Sequence, residues 1–81
     1  MEEAGDKLKQ MERIRSDIKQ FYENLEGVPV NEGNARTIDL ARRYASDTEF
    51  FLAKGDLITA FGCINYAHGL LDAFRKWSGE K

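Results

Sequence analysis

Lys54-Gly55-Asp56 decides the fold of this 81-residue chain. A basic side chain suits the carbonyl end of a helix, glycine suits the left-handed position just past it, and an aspartate placed next caps a following helix. Three consecutive residues with those roles read as a tight helix–helix hairpin, so the flanking sequence should be helical and antiparallel. Upstream, Ile38, Leu40, Ala41, Tyr44, Ala45, Thr48, Phe51 and Leu52 fall on a continuous arc of about 160° at helical spacing, with Asp39, Arg42 and Arg43 opposite. That pattern predicts a core-facing helix over 32–54, capped by Asn31 or Asn34. Asp39–Arg43 and Arg43–Asp47 are i,i+4 pairs on its solvent face.

Downstream, Ala60, Cys63, Ile64, Tyr66, Ala67, Leu70, Leu71, Phe74 and Trp77 belong to an apolar arc of about 180°, which makes a helix over 57–77 the central packing element. Gly62 and Gly69 lie two turns apart on its other side and cost about 1 kcal/mol each relative to alanine. A close backbone approach is expected there. Nearer the start of the chain, Ala4, Met11, Ile14, Ile18, Phe21 and Leu25 form a narrow heptad-like stripe, and Gly27 with Pro29 stops the helix near Glu26. The expected architecture is all-α, an antiparallel up-and-down bundle of helices over 3–26, 32–54 and 57–77 in a single domain over residues 1–81.

Composition excludes several function classes. The chain is 42% hydrophobic and 32% charged with one proline, enough apolar material for one core and too little length for two domains. It holds no apolar run near the ~18 residues of a membrane span, and charges of both signs run through its first 25 residues, so neither a membrane partner nor a secretory leader is expected. With one cysteine, Cys63, an internal disulfide is ruled out, and the reducing cytoplasm is the expected compartment. Cys63 and the one histidine, His68, cannot by themselves fill a four-ligand zinc site, and no cofactor is expected. Fourteen acids and 12 bases are spread evenly, without the concentrated basic footprint that nucleic acid requires.

The runs Ala41-Arg-Arg-Tyr-Ala-Ser-Asp47, Phe51-Leu-Ala-Lys-Gly-Asp56 and Ala60-Phe-Gly-Cys-Ile-Asn-Tyr-Ala-His-Gly-Leu-Leu-Asp-Ala73 resemble a small archaeal family known as domain of unknown function 357. The match covers roughly residues 35–75. Resemblance implies a three-helix, up-and-down bundle in a cytoplasmic archaeal protein, and implies no activity or catalytic residues.

Two groups of residues are candidates for function. Across a hairpin turning at Gly55, Arg43, Asp47, Tyr66, His68 and Asp72 fall at neighbouring levels, with Tyr44 close by. His68 and Asp72 are one turn apart, a spacing at which a carboxylate orients an imidazole as a general base or half of a metal site. A solvated stripe with Asp72 paired to Arg75 or Lys76 is the plainer expectation. The second group is apolar: Phe50, Leu57, Ile58 and Phe61 sit on otherwise polar arcs within two turns of the hairpin. A contiguous patch there marks a contact surface for a protein partner or a second copy of the chain. Competing with it is coverage by the end of the first helix or the 27–33 loop, or isolated exposure that needs no explanation. Cys63, on the apolar arc, is expected to be a buried, inert thiol. No nucleophile motif or phosphate loop accompanies these residues, so the reading is a non-enzymatic interaction module, with a ligand- or nucleic-acid-binding accessory domain as the alternative.

Overall fold

The computed structural model describes residues 2–79, with side chains described for residues 5–74. It is a rod of 48 × 22 × 15 Å built from α1 (Glu2–Glu26), α2 (Ala35–Ala53) and α3 (Leu57–Gly79) in an up-and-down bundle. The expected all-α class is what forms. Ala4, Arg75, Lys76 and Trp77, which entered the sequence argument, lie outside the described side chains.

The hairpin forms as its three residues dictate. Gly55 takes φ 82°, its N–H donates to the Leu52 carbonyl at 3.0 Å, and the Asp56 N–H donates to the Phe51 carbonyl at 3.0 Å. Those two bonds satisfy carbonyls that the end of α2 would otherwise leave open. Asp56 then turns its carboxylate forward to accept the Thr59 N–H at 3.2 Å, capping α3. One residue thus closes α2 and opens α3.

The start of α2 lies three residues later than the sequence predicts, because both asparagines are used and neither acts alone. The Asn31 side-chain oxygen accepts the N–H groups of Gly33 and Asn34 at 2.8 and 3.1 Å. Buried Asn34 replies by accepting the Asn31 N–H at 2.9 Å and donating to the Pro29 carbonyl at 3.0 Å. This interlock holds residues 31–34 in a turn, and the helix begins at Ala35.

Ile14, Ile18, Phe21 and Leu25 of α1 meet Ile38, Ala41, Ala45, Thr48 and Leu52 of α2 and Ala60, Ile64, Ala67 and Leu71 of α3 in one core, with Val28 closing its lower end. Four of these are alanines at zero exposure on α2 and α3, whose small side chains let the two helices of the hairpin close on each other. The α2–α3 pairing is the most extensive in the bundle; α1 packs mainly on α3 and touches α2 least. The one buried hydroxyl among the described residues, that of Thr48, donates to the Tyr44 carbonyl at 2.7 Å, one turn back on its own helix.

The expected close approach at Gly62 and Gly69 does not occur within the chain. A Cβ built at either glycine meets no atom within 4 Å, because both lie on the face of α3 turned away from α1 and α2.

Candidate functional site: the hairpin end and the polar seam

The apolar group divides in two. Leu57, Ile58 and Phe61, on the first turns of α3, line a shallow groove of 250 Å³ with Gln10, Arg13 and Ile14 of α1. Leu57 is half-buried against the core, Phe61 is 39% exposed with the Arg13 guanidinium 5.9 Å from its ring centroid, and Ile58 is 87% exposed. A second depression, of 390 Å³, adjoins it across the hairpin and is lined by Asp6, Lys7, Gln10, Gly55, Asp56, Leu57 and Ile58. Phe50 is also exposed, at 55%, but stands elsewhere. It precedes buried Leu52 by two residues, about 200° around α2, and so faces away from the core. Its ring packs edge-on against Phe51 at 5.1 Å and beneath the Lys54 ammonium at 5.1 Å.

Neither the end of α1 nor the 27–33 loop covers these residues. Both sit at the far end of α2, about 28 Å away at helical rise. The middle of α1, at Arg13 and Ile14, is what lies beside Phe61, an arrangement no local pattern in the sequence announces.

The polar group is also separated. His68 points toward α1, where its Nε2 and the Asp17 carbonyl oxygen form a hydrogen bond of 2.9 Å and its ring meets Phe21 edge-on at 5.8 Å. The sequence spacing placed it beside Arg43 instead. Asp72, half-buried, lies on the same flank of α3 as His68. Arg43 turns to Asp39 in an exposed ion pair of 3.8 Å rather than to Asp47. Tyr66 is 51% exposed and joins Tyr44 edge-on at 4.7 Å across the α2–α3 hairpin. The five seam residues thus occupy at least two faces, and what remains together is the Tyr44–Tyr66 pair. His68 works as a link between α3 and α1.

Cys63 is half-buried rather than buried. Burial pushes its thiol pKa up, and the nearby Asp47 and Asp56 carboxylates push in the same direction. The thiolate is disfavoured on every count, consistent with an inert side chain. Tyr22 behaves alike: burial raises its pKa, Glu49 adds to the rise, and Arg42 opposes it. Among the described residues no three His, Cys, Asp or Glu side chains gather as metal ligands, and no helix is long and apolar enough to cross a membrane.

The model of a family described as a protein of unknown function (DUF357) matches residues 1–78 of the chain, including α1, which lies outside the stretch of about 35–75 that carries the resemblance in the sequence. Among curated proteins nothing matches.

Proposed function

We propose, from the premise that the chain belongs to the DUF357 family and inherits no assigned activity from it, that this protein is a non-enzymatic helical interaction module of the cytoplasm that self-associates through the hairpin end of its bundle. The observation that supports this most is Ile58, 87% exposed between half-buried Leu57 and exposed Phe61 beside a groove. An isoleucine left in water forgoes about 1.5–3 kcal/mol of burial free energy. Here it stands next to two further apolar side chains rather than alone, the arrangement that marks a contact surface. Polar groups of both signs rim it, Asp6, Lys7, Arg13 and Asp56, as in an interface with an apolar centre and a hydrated edge.

Light scattering across a concentration series tests the reading. Wild type is expected to dimerise, and the Ile58→Ser, Phe61→Ser variant to be a folded monomer. Phe50→Ser, on another face, should leave the mass unchanged. A wild type that stays monomeric at every concentration, or a dimer indifferent to Ile58 and Phe61, overturns it.

The competing ligand or nucleic-acid reading has less support, since its residues do not share a face. Its remaining basis is the Tyr44–Tyr66 pair, onto which a base can stack. Salt-dependent binding of single-stranded RNA, abolished by Tyr66→Ala, would favour it.

A further inference from the structure

Asp6 and Arg13 are both exposed and lie two turns apart on α1, about 10.5 Å along its axis and within about 20° of one stripe. Neither forms an ion pair with a described residue, the one such pair being Asp39–Arg43. Between them Gln10 lines both depressions of the hairpin end together with Leu57 and Ile58. Arg13 stands over Phe61 and Lys7 reaches Gly55, so α1 and α3 run side by side with Ile58 level with the midpoint of the Asp6–Arg13 stripe. Along the α1–α3 seam a base thus stands to one side of the most exposed apolar side chain and an acid stands at an equal distance to the other. The remaining charges nearby are committed or marginal. Asp56 caps its own helix, the Lys7 ammonium is turned to the hairpin, 3.8 Å from where a Cβ on Gly55 would stand, and exposed Lys9 lies about 40° further from the seam, where its stem reaches solvent at the rim.

We propose that the hairpin end of the α1–α3 seam packs against the same seam of a second copy of this chain about a two-fold axis that runs across the helices beside Ile58, so that Arg13 of each copy pairs with Asp6 of the other. The inference rests on the self-association reading and supplies its geometry. Such an axis sets the two α1 helices antiparallel and reverses levels about the midpoint of the stripe, which carries position 6 of one copy to position 13 of the other and position 13 to position 6. Ile58 then meets Ile58 on the axis, and Phe61 of each copy comes to the level of the other's Gly55. An axis along the helices instead preserves every level and sets Asp6 with Asp6 and Arg13 with Arg13. What selects a second copy is this self-complementarity: an acid and a base of the same chain, each without a partner in it, stand symmetrically about an apolar centre, and rotation supplies to each the charge it lacks. The apolar residues at the axis contribute the affinity, and the two reciprocal ion pairs at the rim fix the register.

Sedimentation equilibrium on the full chain, with charge reversals, separates the outcomes. Arg13→Glu sets two acids together at both pairs and Asp6→Arg sets two bases together, so each alone should weaken the dimer by about tenfold or more. Mixed in equal amounts, the two variants should associate with each other about as tightly as wild type does with itself, because each then meets its opposite at both pairs. The Asp6→Arg, Arg13→Glu double variant should likewise dimerise. Arg15→Glu, on the side of α1 that faces α2, makes the same change in net charge and should leave the dimer as it is. Both tested positions are exposed, so circular dichroism should show every variant folded. A dimer sensitive to Ile58→Ser but indifferent to both charge reversals, or a mixture of the two variants that does not associate, overturns this geometry and leaves the hairpin-end reading standing. A chain monomeric at every concentration overturns both.

Discussion

The same substitution, glycine to alanine, should move stability in opposite directions at Gly55 and Gly69. At Gly55 the backbone holds φ 82°, in the left-handed region where a Cβ crowds the following carbonyl. Space is not the obstacle, because the new Cβ would meet only the Lys7 ammonium nitrogen at 3.8 Å, an ordinary contact. The cost is therefore the conformational one, about 1–2 kcal/mol. At Gly69, in the interior of an exposed helical face, nothing lies within 4 Å of a new Cβ. Alanine there gains the helix propensity that glycine lacks, about 0.8–1 kcal/mol. The two variants should differ by about 2–3 kcal/mol, which for a domain of this size separates their melting temperatures by roughly 8–24 °C. Urea denaturation followed by far-ultraviolet circular dichroism, at a concentration where every variant is monomeric, measures both shifts with the slope in denaturant unchanged. A Gly69→Ala variant less stable than wild type would show that the outer face of α3 is covered within the chain. A neutral Gly55→Ala variant would show that the hairpin does not depend on its left-handed residue.

Three further outcomes follow from the interior. Asn34→Ala removes both the acceptor of the Asn31 N–H and the donor to the Pro29 carbonyl, and should cost about 1–3 kcal/mol in urea unfolding, with α2 frayed at its start by hydrogen exchange. Thr48→Val keeps the shape of a buried side chain and removes a hydroxyl bonded to a carbonyl within its own helix, so stability should change by less than about 1 kcal/mol; a larger loss would mean that the hydroxyl holds something beyond Tyr44. Cys63 and Tyr22 both have pKa values raised above their ordinary 9.0 and 10.0, so the folded state retains protons that the unfolded chain releases. Their contribution is complete below those ordinary values and is lost as pH rises through the raised ones, so the urea midpoint should fall on the alkaline side, and Cys63→Ser should remove the earlier part of the fall.

The hairpin was legible because its three residues act locally: a glycine at positive φ and an aspartate cap need no knowledge of the rest of the chain. Helical periodicity likewise placed most of the core, with Ile14, Phe21, Ala45, Ile64 and Leu71 all buried as their spacing requires, whereas Leu40 and Tyr66, at the edges of the same arcs, are exposed. The start of α2 was less legible, because Asn31 and Asn34 each carry a capping signature and their mutual bonding consumes it. The polar seam failed for a different reason. Counting from Gly55 gives the level of a residue along α3 but not the side from which α1 approaches, and it is α1 that claims His68. Of the four apolar residues near the hairpin, Phe50, Ile58 and Phe61 are exposed while Leu57 is half-buried against the core, and the sequence left both outcomes open. Their separation onto two faces depends on the angle between Phe50 and buried Leu52, which the helical arc of α2 already contained. The outer face of α3 was half visible: its glycines signalled an approach, but only the packed chain shows that no internal element makes it.

The docking of α1 on α3 rather than on its sequence neighbour α2 sets an order of assembly. The α2–α3 hairpin closes across three residues, and its contacts are local, so it forms with little loop entropy to overcome. The bond from His68 to the Asp17 carbonyl joins positions 51 residues apart, and the surface that α1 needs does not exist until α3 is already paired. Truncating Ala41 or Ala67 partners in the hairpin should therefore slow refolding, whereas trimming Ile14 or Phe21 should act chiefly by speeding unfolding. The helix synthesised first is the one that joins the structure last.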